Sequence, residues 1–203
     1  MNAWALLLSF FSSLTTPGFC ANVAEVKTVQ THQPAQVIVL MSTDRPDSKT
    51  NYVAENLMHA YQQAGLNAEL YRVTDFGHEF YQPTAYMQKP EAFMKFNDAV
   101  LAANLVVLVT PEYNATIPAP LTRVLNLLSF PSSFNDKKYV IVSLSVSPYG
   151  AVRAYEGLKK VLTDLHAVVL NDLAVKIPEV QNATKSSSVY KEHALKITEF
   201  LQK

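Results

Sequence analysis

The stretch Asn104-Leu-Val-Val-Leu-Val-Thr-Pro-Glu-Tyr-Asn114 decides the fold class of this 203-residue chain. It begins as an unbroken, β-branched apolar run, which is typical of a strand covered by helices on both faces. Pro111 lacks a backbone N–H, so we expect the strand to end there. The aromatic and amide side chains beyond it form a loop at the carboxyl end of the strand, where open α/β sheets bind their ligands.

Strand and helix patterns alternate along the chain from Ala35 onward. Besides the opening run, the predicted strands are Val37–Met41, Ala68–Val73, Tyr139–Leu144 and Val168–Val175. The predicted helices are Ser48–Ala64, Glu91–Ala103, Pro118–Ser129, Ala151–Leu165 and Ser187–Leu201. Residues 74–90 contain glycine, proline and aromatic residues without a period, which predicts a long irregular loop. The pattern as a whole predicts one doubly wound α/β domain over residues 35–203, a three-layer sandwich with a five-stranded parallel sheet and helices on both faces.

The composition excludes several classes of function. Lys and Arg together number 17, as do Asp and Glu, so the formal net charge is zero and we expect neither nucleic acid nor an anionic membrane surface as a partner. Cys20 is the single cysteine, which rules out an intrachain disulfide and a cysteine-based metal site. The five histidines are scattered without the i, i+4 spacing of a helical zinc site, so no metal site is predicted.

The first 24 residues differ from all that follow. No charged side chain occurs before Glu25, Ala3 to Leu14 is apolar, and helix-breaking and small residues follow up to Ala21. This pattern predicts a secretory signal peptide over residues 1–24, a polar linker over residues 25–34 and an exported, periplasmic or secreted protein. The apolar run is too short for a permanent span, so none is expected in the mature form. The alternative is a disordered or misassigned start, which would leave the protein cytoplasmic.

Doubly wound folds often bind nucleotides, and here the glycine count limits the kind. Only five glycines occur, and neither the GxGxxG fingerprint nor a Walker A loop can be written anywhere in the chain. The first strand is instead followed by the hydroxyl-rich turn Ser42-Thr-Asp-Arg-Pro-Asp-Ser-Lys-Thr-Asn51 at the start of a predicted helix. Such a turn suits a terminal phosphate, because helix N-termini attract anions. The alternative is an ordinary capped helix with Ser48 or Asp47 as the N-cap.

A third polar loop, Ser145-Val-Ser-Pro-Tyr-Gly150, follows the fourth predicted strand. In a doubly wound topology the loops after the first, third and fourth strands meet at one edge of the sheet. We therefore expect one crevice lined by all three loops, suited to a mononucleotide with a flat conjugated ring. Its phosphate would lie on the first loop, and its ring between the second and the third.

These loops, together with the helix start Ile117-Pro-x-Pro-Leu121, resemble those of the NAD(P)H-dependent FMN reductase family, flavodoxin-like flavoproteins that include quinone, azo-dye and chromate reductases. The resemblance covers roughly residues 35–180 in the same order. It implies a flavodoxin-like fold and FMN as cofactor. The phosphate contacts it implies are Thr43, Arg45, Ser48, Thr50 and Asn51. The ring contacts it implies are Pro111, Glu112, Tyr113 and Asn114 on one side and Ser147, Pro148, Tyr149 and Gly150 on the other.

The resemblance also implies an activity. NADPH or NADH would pass hydride to the flavin, and a small-molecule acceptor such as a quinone or free flavin would then take the electrons. Family members of this kind are expected to form homodimers or homotetramers. The alternative is a non-enzymatic, flavodoxin-like electron carrier or binding protein with weak or absent FMN, because Ser42-Thr43 stands where the family usually has Gly-Ser.

Overall fold

The computed structural model describes residues 36–183 and 188–203. The strands are β1 (Val37–Met41), β2 (Ala68–Arg72), β3 (Leu105–Pro111), β4 (Lys138–Leu144), β5 (Val168–Val169) and β6 (Val175–Ile177). The helices are α1 (Lys49–Gln63), α2 (Glu91–Ala102), α3 (Ala119–Leu127), α4 (Val152–Asp164) and α5 (Ser188–Leu201). The predicted signal peptide and linker lie outside the described residues. Within the described ranges, no helix combines the length and the apolar character that a bilayer crossing requires.

The strands form one parallel sheet in the order β2-β1-β3-β4, and β5 and β6 both pair with the free edge of β4. β1 and β3 are buried along their whole length, as the unbroken apolar runs predict. β3 ends at Pro111, and the next residue, Glu112, still donates its N–H to the Leu144 carbonyl oxygen at 2.8 Å. The doubly wound α/β prediction is therefore confirmed, with the loops after β1, β3 and β4 at one edge.

The prediction of a single fifth strand over Val168–Val175 is wrong. The chain leaves the sheet between β5 and β6 and makes a 3₁₀ turn at Asn171–Leu173. Asn171 and Asp172 favour turns over strands, because their side chains compete for backbone hydrogen bonds. The turn is also held from outside, since Asn171 Oδ1 accepts a hydrogen bond of 2.8 Å from the Tyr155 hydroxyl.

The two faces of the sheet carry separate apolar layers. Val39 and Val107 point towards α1 and α5, whereas Ile38 and Leu108 point towards α2, α3 and α4.

The segment predicted as an irregular loop forms three short 3₁₀ turns, Val73–Phe76, His78–Tyr81 and Pro83–Tyr86. Aromatic packing holds this segment against the apolar layer that contains Ile38 and Leu108. The ring centroids of Phe76 and Phe80 are 5.2 Å apart, and each ring packs on Phe93 of α2.

A buried histidine joins three elements of the fold. His193 of α5 is 3% exposed, and its Nδ1 lies 2.8 Å from the hydroxyl of Tyr61 in α1. Its Nε2 lies 2.8 Å from the carbonyl oxygen of Leu173 in the turn between β5 and β6. Because a carbonyl only accepts, Nε2 carries the proton and Nδ1 accepts from Tyr61. Burial lowers the pKa of His193 to about 4, so the ring is neutral near pH 7.

Candidate functional site

The three predicted loops meet in a cleft of about 230 Å³ at the carboxyl edge of the sheet. The predicted site residues that line it are Arg45, Ser48, Thr50, Pro111, Glu112 and Tyr113. The first loop and the N-terminus of α1 form one end of the cleft, and β3 and β4 with their loops form the rest. The expected convergence of polar loops is therefore present in the structure.

The first loop brings hydroxyl groups and a helix N-terminus to one end of the cleft. Ser48 is the N-cap of α1, and its Oγ accepts from the Thr50 N–H at 3.2 Å and donates to Thr50 Oγ1 at 3.0 Å. The preceding turn places Asp47 at a positive φ of 52°, a conformation that Asn and Asp tolerate. Ser48 therefore caps α1, as one of the two alternatives for this loop predicts, and it also lines the cleft.

The second loop is a tight hairpin at the end of β3. Tyr113 and Thr116 exchange backbone hydrogen bonds of 3.0 and 2.9 Å, and Asn114 and Ala115 between them have φ angles of 50° and 60°. This is the backbone of a type I′ turn, in which glycine is strongly favoured and alanine is strained. The Tyr113 hydroxyl lies 3.3 Å from Thr43 Oγ1, so the hairpin is joined to the first loop.

The carboxylate of Glu112 reaches the helix after the third loop. Its Oε2 accepts the backbone N–H groups of Arg153 at 3.0 Å and Ala154 at 3.2 Å, and its Oε1 lies 3.6 Å from the Arg153 guanidinium. The side chain is only 10% exposed. Glu112 thus lines the cleft while its charge is bound at the N-terminus of α4.

The third loop contributes other residues than those predicted. Leu144, Ser145 and Val146 line the cleft, whereas the predicted residues Ser147, Pro148, Tyr149 and Gly150 do not. Gly150 has a φ of +42° and packs against Pro178, and the preceding residue, Tyr149, is 86% exposed. A ligand held by residues 147–150 would therefore have to extend beyond the cleft.

Three further predicted residues, Asn51, Asn114 and Thr43, do not line the cleft. Asn51 lies in the first turn of α1, where its side chain accepts from Arg72 at 2.8 Å and donates to Glu55 at 3.0 Å. Asn114 is exposed at the tip of the hairpin. Thr43 is buried and reaches the cleft through Tyr113.

Sequence reasoning missed part of the lining. Besides the start of the third loop, Asp47, Lys49 and Val180 line the cleft. Val180 comes from the segment after β6, whose backbone N–H groups at Glu179 and Val180 donate to Ser147 and Ser145 at 3.3 and 3.0 Å. Asp47 and Lys49 lie in the first loop between predicted site residues, so their positions in the sequence could have indicated them. No local pattern marks Val180, because it joins the site only when the chain returns to β4.

The segment of 3₁₀ turns is held at its middle, at residues 80–82, by α3 and by the first loop. The Arg123 guanidinium of α3 donates to the carbonyl oxygens of Phe80 at 3.0 Å and Gln82 at 2.6 Å. The Tyr81 hydroxyl donates to Asp44 of the first loop at 3.3 Å, and burial together with that carboxylate raises the pKa of Tyr81 to about 12.

No group of three or more histidine, cysteine or acidic side chains able to hold a metal occurs in the described part of the chain.

Comparisons with known proteins identify the family of this chain. A family model described as NADPH-dependent FMN reductase matches residues 35–182. A subunit of NADH:(hydroxy)cinnamate reductase from Vibrio ruber is 32% identical over 114 residues, which are 56% of this chain and 55% of that protein. An NAD(P)H-dependent FMN reductase of Pseudomonas aeruginosa is 30% identical over 122 residues, 59% of this chain and 65% of that protein. The chain thus spans less than two thirds of these relatives.

Solved structures show the same fold at lower identity. An oxidoreductase from Corynebacterium diphtheriae has a TM-score of 0.65 at 15% identity, covering 82% of this chain and 98% of that one. The flavoenzyme NAD(P)H:(acceptor) oxidoreductase from Paracoccus denitrificans has a TM-score of 0.61 at 19% identity, covering 83% and 91%. The flavodoxin of Megasphaera elsdenii has a TM-score of 0.52 at 15% identity, covering 78% and 98%. The predicted flavodoxin-like fold is confirmed.

Proposed function

The chain belongs to the NADPH-dependent FMN reductase family, and from that premise we propose that it is an FMN-dependent oxidoreductase. It takes hydride from NADPH or NADH and passes electrons to a quinone, free flavin or similar small acceptor. One observation carries the proposal. The cleft joins a helix N-terminus with hydroxyl groups at one end to the apolar residues Pro111, Leu144 and Val180. A ligand with a charged phosphate and a flat ring needs that combination.

The phosphate end fits the chemistry of a dianion. The first N–H groups of α1 have no partner within the helix, and the helix dipole adds positive potential there. Ser48 and Thr50 add hydroxyl groups, and Arg45 and Lys49 add positive charge. Asp47 lines the same end, so one carboxylate opposes these groups. The net arrangement is two cations against one anion at a helix N-terminus whose Thr50 and Asn51 N–H groups already donate to Ser48.

The ring end fits a flat conjugated system. Pro111, Leu144, Val146 and Val180 present apolar surface that excludes water from one side of a bound ring. Tyr113 supplies an aromatic edge whose hydroxyl is fixed by Thr43. FMN, when bound, supplies the hydride chemistry, and the side chains bind and orient it. No side-chain acid or base is required for hydride transfer itself.

Flavin binding and reduction test the proposal directly. Purified protein reconstituted with FMN is expected to retain flavin absorption after gel filtration and to bleach when NADPH or NADH is added without oxygen. Ser48→Leu places an apolar side chain at the phosphate end and is expected to abolish retention, whereas Ser132→Leu, at an exposed serine far along the chain, is expected to preserve it. Protein that ignores added FMN would contradict the proposal. Retained flavin that neither nucleotide reduces would favour the electron carrier instead.

We also propose that the protein self-associates as a homodimer or homotetramer. An apolar groove between α3 and α4, lined by Ile117, Leu125 and Phe130 among others, supports association because Phe130 is 66% exposed. Light scattering of the purified protein tests it, and a monomer at micromolar concentration would contradict it.

We propose further that residues 1–24 are a cleaved signal peptide and that the mature protein is exported. The support is the charge-free apolar start of the chain. The N-terminal sequence of protein recovered from the native cell tests this, and an intact Met1 in the cytoplasmic fraction would contradict it.

A further inference from the structure

Helix α4 begins without a capping side chain of its own. The residue at its N-cap is Ala151, which has a left-handed φ of 51° and offers no side-chain acceptor. The first N–H groups of a helix need an acceptor from elsewhere when they are not solvated. Here Glu112 supplies it, since its Oε2 accepts both the Arg153 and the Ala154 N–H groups.

The backbone of Glu112 is also held by hydrogen bonding, at the end of the pairing between β3 and β4. Pro111 pairs with Leu144 at the last position of the β3–β4 ladder, and the Glu112 N–H donates to the Leu144 carbonyl oxygen at 2.8 Å. The side chain therefore bridges from the second loop to the helix that begins just after the third loop. Its neighbour Tyr113 makes the opposite connection, to Thr43 of the first loop.

We propose that Glu112 is a positioning residue whose carboxylate sets the separation of the two loops that hold the flavin ring. The inference rests on the proposed function. Without this connection, the N-terminus of α4 would lose its acceptor and move away from the second loop. The cleft would widen at the ring end, whereas the phosphate end at α1 would be unchanged.

Binding of two flavins separates these ends. Riboflavin lacks the phosphate of FMN, so a change at the ring end raises the dissociation constants of both flavins by the same factor. For Glu112→Ala we expect about a tenfold rise for each, because the displaced loop lowers the contact with the ring in both flavins. Quenching of flavin fluorescence measures both constants. In protein saturated with FMN, the visible circular dichroism of the flavin is expected to weaken towards that of free FMN.

Two other variants complete the experiment. Glu112→Gln keeps an acceptor oxygen and is expected to preserve the circular dichroism and to raise both flavin constants by only about twofold to fivefold. Glu156→Ala removes an exposed carboxylate from the next turn of α4 and is expected to change neither flavin constant. In the apoprotein, the Arg153 and Ala154 amides are expected to exchange hydrogen faster in Glu112→Ala than in wild type, which reports the cap without any flavin.

The outcomes are distinct. Unchanged constants and circular dichroism in Glu112→Ala would overturn the positioning role and leave FMN binding standing. A rise for FMN alone would also overturn it, because the effect would lie at the phosphate end. If Glu112→Ala does not fold, the Glu112→Gln variant takes its place in the test. Because its neutral hydrogen bond is weaker, we expect the dissociation constants of both flavins to rise equally, by about twofold to fivefold. A wild type that binds neither flavin would contradict the proposed function itself.

Discussion

The hydroxyl of Tyr113 lies 3.3 Å from Thr43 Oγ1 and joins the loop after β3 to the loop after β1. The contact is possible because β1 and β3 are adjacent in the sheet, with Val39 opposite Val107, so their loops leave the edge side by side. Glu112, the preceding residue, connects the same loop to α4. The second loop is therefore the central support of the cleft.

A double-mutant cycle tests the first of these connections. Tyr113→Phe and Thr43→Val each remove one hydroxyl with little change of shape, and each is expected to lower the free energy of unfolding by about 1 kcal/mol. The double variant is expected to lose less than the sum, because both changes remove the same hydrogen bond. Urea unfolding of the apoprotein measures all four species. Strictly additive losses would show that the two hydroxyl groups do not interact in solution.

Gly150 tests the fixed bend of the third loop. A Cβ at this position would lie 2.6 Å from the Cβ of Pro178, and the φ of +42° disfavours any side chain. We expect Gly150→Ala to lower the free energy of unfolding by about 2 kcal/mol or more and to weaken FMN retention. Gly157→Ala in α4 is the matched control, since no atom outside its chain neighbours and the adjacent backbone of α4 lies within 4 Å of its added Cβ. Calorimetry should show that variant to be more stable by about 0.5 to 1 kcal/mol.

Ala115 carries strain in the hairpin of the second loop. Its φ of 60° is costly for an alanine and free for a glycine. Ala115→Gly is expected to raise the free energy of unfolding by about 0.5 to 1 kcal/mol, after the greater entropy of glycine in the unfolded chain is subtracted. The same substitution at Ala99, inside α2, is expected to lower stability by about 1 kcal/mol. Thermal melts that move in the same direction for both variants would contradict this account.

His193 predicts a pH dependence of stability. Its pKa of about 4 in the folded protein is below the usual 6.5, so between these values the unfolded chain binds the extra proton. Stability is then highest above pH 6.5 and falls by up to about 3 kcal/mol as the pH drops towards 4. Lys196 on the same helix acts in the same direction, because its charge disfavours protonation of the ring.

His193→Gln isolates that effect. An amide can accept from Tyr61 and donate to Leu173 without titrating, so the slope of unfolding free energy against pH between 4 and 6.5 is expected to flatten. His59→Gln removes an exposed histidine of α1 and should leave the slope unchanged. Equal slopes in wild type and His193→Gln would show that other groups control the acid transition.

Most of the fold was predictable, and about half of the site. The predicted ends of α1, α2 and α4 agree with the structure to within one or two residues, because apolar periodicity is local. The split of the fifth strand was not predicted, because Val168 and Val175 both have strand character. The turn between them also depends on hydrogen bonds from Tyr155 of α4 and His193 of α5, which lie far away in the sequence. Within the site, the sequence predicted which three loops converge, but it did not predict the directions of several of their side chains.

The sequence by itself determined the order of strands and helices and the family to which the chain belongs, because apolar runs, prolines and loop motifs act over a few residues. Only the tertiary structure decided that the Glu112 carboxylate points to α4, that Tyr149 points to solvent and that Val180 enters the cleft. The partners of Glu112 stand 41 and 42 positions further along the chain. Such contacts depend on how β3 and β4 align, and no local pattern contains that information.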